Sequence, residues 1–334
     1  MDNKYLYAGA RIRTLENALV GRERLERLLA CDSVDDCAAL LDEWGYGIVR
    51  NPETGAFDRE ATLTARLSDG YREVLSSSDG AAFAKIWLLP YDCNNIKSAI
   101  KCLRRGLDCD RMLIRLCGGI PTETVRKAVE KREFGLLPEP FATAARDACG
   151  QLERTGDPRV VDSVLDRACY AGMLALAKES GIALAEKAVV RRIDLTNVMI
   201  ALRVSRMGGE VGLRLRTLGE FFLSGGSIAE ADLAAWSAAG EETLLSRLYH
   251  TDCERFAKRA AETDRTMAAL ERVADDELME VAREAKLVPF GAEILVGYLI
   301  GREYEVKNLR ILLAGKSVGL GSDALRERLR LSYV

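Results

Sequence analysis

Apolar residues recur along the chain at steps of three and four. Leu15, Leu19, Leu25, Leu28 and Leu29 make one such set, interrupted by Gly21. Val34, Cys37, Leu41 and Trp44 make a second, and Val164, Leu165, Ala168, Cys169 and Gly172 a third. This is the spacing of one face of an α-helix, which returns every 3.6 residues or so. No segment alternates apolar and polar positions over the length of a strand; Gly47–Arg50 is a short extended piece on its own. The pattern predicts an all-α chain. Helix starts are marked at Ser33-x-x-Asp36 and Ser227-x-x-Glu230, where a hydroxyl and an acid three residues on form a capping box. A third start is Thr122, with Glu123 in a positive first turn. Loops are expected around residues 50–58, 135–140, 154–159 and 286–291, where Gly, Pro and Asp gather.

One pattern repeats. Asp92-x-x-Asn95-Ile96, Asp194-x-x-Asn197-Val198 and Glu305-x-x-Asn308-Leu309 share an acid, an Asn three residues later and an aliphatic residue after it. Another aliphatic follows each Asn by five (Ile100, Leu202, Leu313), and a Gly by eleven: Gly106, Gly208 and Gly319. The acid and the Asn, three apart, share a helix face. An Asn inside a helix is unfavourable unless its amide bonds something, so the same Asn three times implies one structural job done three times. Each Gly suits a helix end in the left-handed conformation. The marked helix starts precede the three motifs in the same order, two of them after Gly118-Gly119 and Gly225-Gly226. A spacing near a hundred residues is too long for a helical solenoid. It predicts three domain-sized units, 1–107, 108–210 and 211–334, arranged with pseudo-threefold symmetry.

Composition removes several function classes. The 48 Lys and Arg balance 51 Asp and Glu, for a net charge of −3, without the basic surplus that nucleic acid selects. No apolar stretch reaches the ~20 residues of a membrane span, and residues 1–14 are too polar for a signal peptide. The 9 Cys are scattered and never spaced C-x-x-C, which fits reduced core thiols and neither a disulfide framework nor a zinc site. The single His, His250, has no catalytic context. Ala314-Gly315-Lys316-Ser317 resembles the end of a phosphate-binding loop, but Arg310 stands where the first Gly belongs. Asp35-Asp36 and Asp275-Asp276-Glu277 lack the third acid of a metal-binding box, having Ala39 and Met279 instead. No catalytic, cofactor or metal residue is expected, and the chain reads as a non-enzyme. Its rival readings are a helical binding scaffold of an unrelated assembly and an all-helical enzyme.

The run Ala292 to Lys316, with Tyr304-Glu305-Val306-Lys307-Asn308-Leu309-Arg310 and Gly315-Lys316, resembles the last long helix of the C-subunit family of V-type and archaeal-type rotary ATPases, whose eukaryotic member is the d subunit. So do the closing Leu325–Val334 with its Tyr333-Val334 end, the opening Tyr5-Leu6-Tyr7-Ala8-Gly9-Ala10-Arg11-Ile12-Arg13, and Tyr91-Asp92-Cys93-Asn94-Asn95-Ile96-Lys97. The middle copy, with Met199 and Arg203, is the weakest match. The resemblance implies a funnel of three helical domains without catalytic residues. It implies a rotor role, with the D and F shaft subunits in its cavity and the cytoplasmic loops of the proteolipid ring at its broad end. It also implies a place in the cytoplasm, peripheral to the inner face of the cell membrane.

Overall fold

A computed structural model describes residues 5–77, 81–110, 112–115 and 117–334. Their regular structure is helical, and the β pairing among them is one isolated bridge, Arg50 to Phe57. The helices are α1 (Leu6–Glu16), α2 (Arg22–Ala30), α3 (Val34–Glu43), α4 (Arg59–Ser77) and α5 (Ala81–Arg105). Next come α6 (Thr122–Glu130), α7 (Phe141–Thr155), α8 (Arg159–Ser180), α9 (Ala183–Ser205) and α10 (Val211–Phe221). The last are α11 (Glu230–Ala239), α12 (Glu241–Leu248), α13 (Glu254–Ala261), α14 (Met267–Arg283), α15 (Glu293–Ser317) and α16 (Ser322–Arg326). No helix among the described residues is long and apolar enough to cross a membrane. The chain divides into two compact units. Unit 1 is Met1–Ala84, Ile182–Ala185 and Arg259–Val334; unit 2 is Lys85–Gly181 and Glu186–Lys258.

In unit 1 the core is built around α15. Seventeen of its residues are buried, among them Ile294, Leu295, Val296, Tyr298, Leu299, Ile300, Leu309, Leu312 and Leu313. A helix apolar all round belongs inside its domain, and α1, α3, α4 and α14 pack against it. Ser33 caps α3 in the predicted box: its Oγ accepts from the Asp36 N–H while the Asp36 carboxylate accepts from the Ser33 N–H. Trp44, just after α3, lies under the guanidinium groups of Arg24 and Arg27.

In unit 2, α7 packs on α8. The buried stripe of α7 is Phe141, Ala144, Ala145, Ala148 and Leu152. That of α8 is Val161, Leu165, Cys169, Met173 and Ala177, at steps of four. Val164, Ala168 and Gly172 form a half-buried row beside it. Both helices end on left-handed glycines, Gly156 and Gly181.

One helix start agrees with expectation and one differs. Thr122 is the first residue of α6, with Glu123 in its first turn, and Pro121 holds the cap position. Ser227 caps no helix, since α11 starts at Glu230 after Ala229. Ser227 instead bonds Asp194 through both its N–H and its hydroxyl.

Candidate functional site: buried acid and asparagine clamps

Asp92 and Asn95 lie on α5, Asp194 and Asn197 on α9, and Glu305 and Asn308 on α15, all six buried. The three Asn make the same pair of bonds. Asn95 Nδ2 donates to Ile114 O at 3.0 Å, and its Oδ1 accepts from Ile114 N at 2.8 Å. Asn197 does the same with Leu223, at 2.8 and 2.9 Å. Asn308 does so with Arg330, at 3.0 and 2.8 Å. Each amide therefore satisfies both polar groups of one backbone residue in a connecting segment, as a strand neighbour would.

The acids follow a second rule. Asp92 accepts from Gly119 N at 3.0 Å and Ile120 N at 2.9 Å. Asp194 accepts from Ser227 N at 2.7 Å, from its hydroxyl at 2.7 Å and from Ile228 N at 3.3 Å. Glu305 accepts from Val20 N at 2.7 Å. Ile120, Ile228 and Val20 each stand two residues before a helix: α6, α11 and α2. The first two acids hold the entry to a helix that follows them; the third holds the entry to α2, 285 residues back.

The paired glycines make room for this. A Cβ on Gly118 would lie 2.7 Å from Asp92 Oδ1, and one on Gly226 only 2.3 Å from Asp194 Oδ1. Of the glycines eleven after each Asn, Gly106 and Gly319 are left-handed, at φ 66° and 76°. Each is followed by an N–H reaching back five residues, Leu107 to Cys102 O and Leu320 to Gly315 O, the Schellman closure of a helix. Gly208 does not take that conformation; Gly209 does, at φ 93°. There α9 ends early at Ser205, whose carbonyl is taken by Arg214.

Burial raises the Asp92 carboxyl to about 6, against the pull of its two backbone donors. It raises Asp194 and Asp276 as well, against the donors around them. Glu305 is set differently: its second oxygen pairs with buried Arg302, which also donates to Tyr298 Oη at 3.0 Å and lies over that ring.

The motifs with a chemical look have structural partners. Lys316 lies inside α15 and donates to Leu29 O at 3.0 Å and to Cys31 O, at the C-terminal end of α2. A Cβ on Gly315 would fall 2.2 Å from Leu325 Cδ2, so Leu325 occupies the space beside it. Asp36 belongs to the α3 cap. Asp275 takes Tyr304, Lys307 and Arg330, Asp276 takes Leu331 N, and Glu277 faces Arg259 at 3.4 Å. His250 is exposed in a turn. One metal-like cluster occurs among the described residues, Asp108, Cys109 and Asp110; its two aspartates are exposed and close a turn through Asp110 N to Asp108 Oδ1.

Residues 8–328 match the family of ATP synthase (C/AC39) subunits. The chain belongs to that family. It is 24% identical over 326 residues to the C subunit of the V-type sodium ATPase of Enterococcus hirae, covering 96% of this chain and 97% of that one. It is 27% identical over 350 residues to the C subunit of the A-type ATP synthase of Methanocaldococcus jannaschii, covering 97% and 86%. It is 25% identical over 348 residues to the C subunit of the V-type ATP synthase of Deinococcus radiodurans, covering 99% and 92%. The matched residues include the whole of α15, where the sequence resemblance is strongest. Sequence reasoning located the acids and Asn of this C/AC39 protein but not what they hold. The partners are backbone groups, which leave no side-chain signature; the two Gly-Gly pairs were the one available sign of a close approach.

Proposed function

We propose that this chain is the non-catalytic central-stalk subunit of a V-type rotary ATPase. In that role it passes torque between a shaft made of the D and F subunits and the cytoplasmic loops of the proteolipid ring, peripheral to the inner face of the cell membrane. The observation that carries the reading is family membership over residues 8–328. The fate of the polar clusters supports it, because Lys316, Asp36 and Asp275 to Glu277 are engaged within the protein. The test is size-exclusion co-elution of this chain with D and F from the same organism. A one-to-one-to-one complex is expected. If neither D and F nor membranes containing the ring retain the chain, the rotor reading falls.

We further propose that units 1–107, 108–210 and 211–334 are copies of one ancestral helical unit. The Asn rule supports this because it applies three times in one order, and the acid rule because each acid holds the entry to a helix, the third reaching back to α2. In an experimental structure laid on itself, with Asn95 on Asn197 and on Asn308, the flanking helices are expected to coincide. Asn residues on differently packed elements would overturn the triplication.

A further inference from the structure

We propose that unit 1 contains a binding site for an extended Arg-Leu-Ser-Tyr-Val segment, filled by the chain's own residues 330–334 and able to take the same segment as a separate peptide. Asn95 and Asn197 hold connecting segments that run on covalently to Ile120 and Ile228. Asn308 holds Arg330, from which residues 331–334 run on. Val334 nevertheless arrives beside the next element of the pattern: a Cβ on Gly21 would lie 2.9 Å from Val334 O, and neighbouring Val20 is the residue bound by Glu305. Residues 330–334 thus reach the third clamped helix entry from far along the sequence, where the other two clamps have a continuous linker.

The site has a built shape. Gly297 and Gly301, one turn apart on α15, form a slot for Tyr333. A Cβ on Gly301 would sit 2.7 Å from Tyr333 Cγ, and one on Gly297 would sit 2.7 Å from Tyr333 Oη. The buried Tyr333 hydroxyl donates to Glu16 Oε1 at 3.1 Å. The tail backbone is held along its length. Leu331 N donates to Asp276 at 2.7 Å, Ser332 O accepts from Arg283 Nε at 3.0 Å, and Tyr333 O accepts from Lys286 Nζ at 3.3 Å. An aromatic anchor in a pocket with backbone bonds on either side is how extended peptides are recognised. Both slot glycines have ordinary helical φ, so a methyl group at Gly301 is opposed by the Tyr333 ring and not by the backbone.

Hydrogen exchange on the full-length chain is the first test. Gly301→Ala is expected to speed exchange of the Arg330 and Leu331 amides at least tenfold, while the Ile114 and Leu223 amides stay unchanged. Unchanged tail amides, or an equal rise at all four, would overturn the site. The second test uses the chain ending at Leu329 and a synthetic peptide copying residues 330–334. Millimolar peptide is expected to raise the Tm of the shortened chain, as any ligand of the folded state does, and the same peptide with Ala at the Tyr333 position is not. No difference between the two peptides would overturn the proposal, and the exchange result stands even if the shortened chain does not fold.

Discussion

Units 1 and 2 bury an acid for the same purpose by different means. In unit 2, Asp92 is held by two backbone N–H groups, and Asp194 by two such groups and the Ser227 hydroxyl. In unit 1, Glu305 is one methylene longer and splits its oxygens between the Val20 N–H and the Arg302 guanidinium. Donors of partial charge leave much of the desolvation penalty in place, and the carboxyls of Asp92 and Asp194 are raised by it. Glu305 rests on a full cation, and Arg302 is itself only 3% exposed. The difference sets what each clamp is sensitive to: the Asp92 and Asp194 clamps to protons, the Glu305 clamp to loss of its partner.

Removing the partner is therefore the strongest way to break the comparison. Arg302→Ala is expected to cost about 3–5 kcal/mol, because it strands a buried carboxylate. In urea unfolding, Glu305→Gln added to it is expected to recover part of the loss, since the stranded charge goes with it. A loss below about 1 kcal/mol for Arg302→Ala would mean that the pair does not hold Glu305 inside. Next in size come the three Asn, where the units should not differ. Asn197→Ala leaves a buried N–H and C=O at Leu223 without this partner, and Asn95→Ala and Asn308→Ala do the same to part-buried groups at Ile114 and Arg330, a cost of about 2–4 kcal/mol each. Urea or thermal unfolding of the three variants is expected to agree within about 1 kcal/mol. One variant with no effect would show that its Asn is not an equivalent clamp.

How much of this was legible depended on whether the signal was local. Helices with a one-sided apolar stripe, such as α3, and the Ser33 box were readable because cause and effect lie within one or two turns. Ser227 failed as a cap although its spacing was correct: Asp194, 33 residues earlier, took both its donors. Gly208 failed because its neighbour Gly209 could take the left-handed turn and Arg214 closed the helix end sooner. The candidate Asn were visible as a repetition, while their partners were not, since Ile114, Leu223 and Arg330 contribute backbone groups that any residue owns. The Glu305 to Val20 bond and the Tyr333 slot join opposite ends of the chain, and nothing local in Gly297-x-x-x-Gly301 says what fills it.

The proton sensitivity of unit 2 is the third way to sharpen the contrast. Asp92 titrates near 6 in the folded chain and near 3.8 as a free group. A raised folded value means that the folded state binds the proton more tightly. The stability it contributes is full below about 4 and is lost as pH rises through about 6, on the order of 2–3 kcal/mol at that shift. Asp92→Asn adds an offset that does not vary with pH, so the difference between wild type and variant isolates the carboxyl. That difference is expected to drift against the wild type between pH 4 and 6.5 in urea unfolding and then level. A flat difference would show that the backbone donors fully offset the burial of Asp92.

The smallest expected effect concerns Lys316, the residue with the most misleading sequence context. Its ammonium lies on Leu29 O and Cys31 O, where the last carbonyls of α2 carry negative partial charge. Lys316→Met keeps the stem and removes the charge, so a loss of about 1 kcal/mol is expected from the helix-end interaction. A phosphate ligand would behave differently: millimolar Mg-ATP would raise the Tm of the wild type beyond salt controls, and Lys316→Met would abolish the rise. The expected result is a Tm that does not move with Mg-ATP in either protein, with the variant lower than the wild type throughout. Lys316 then belongs to the contacts that fix α15 against α2.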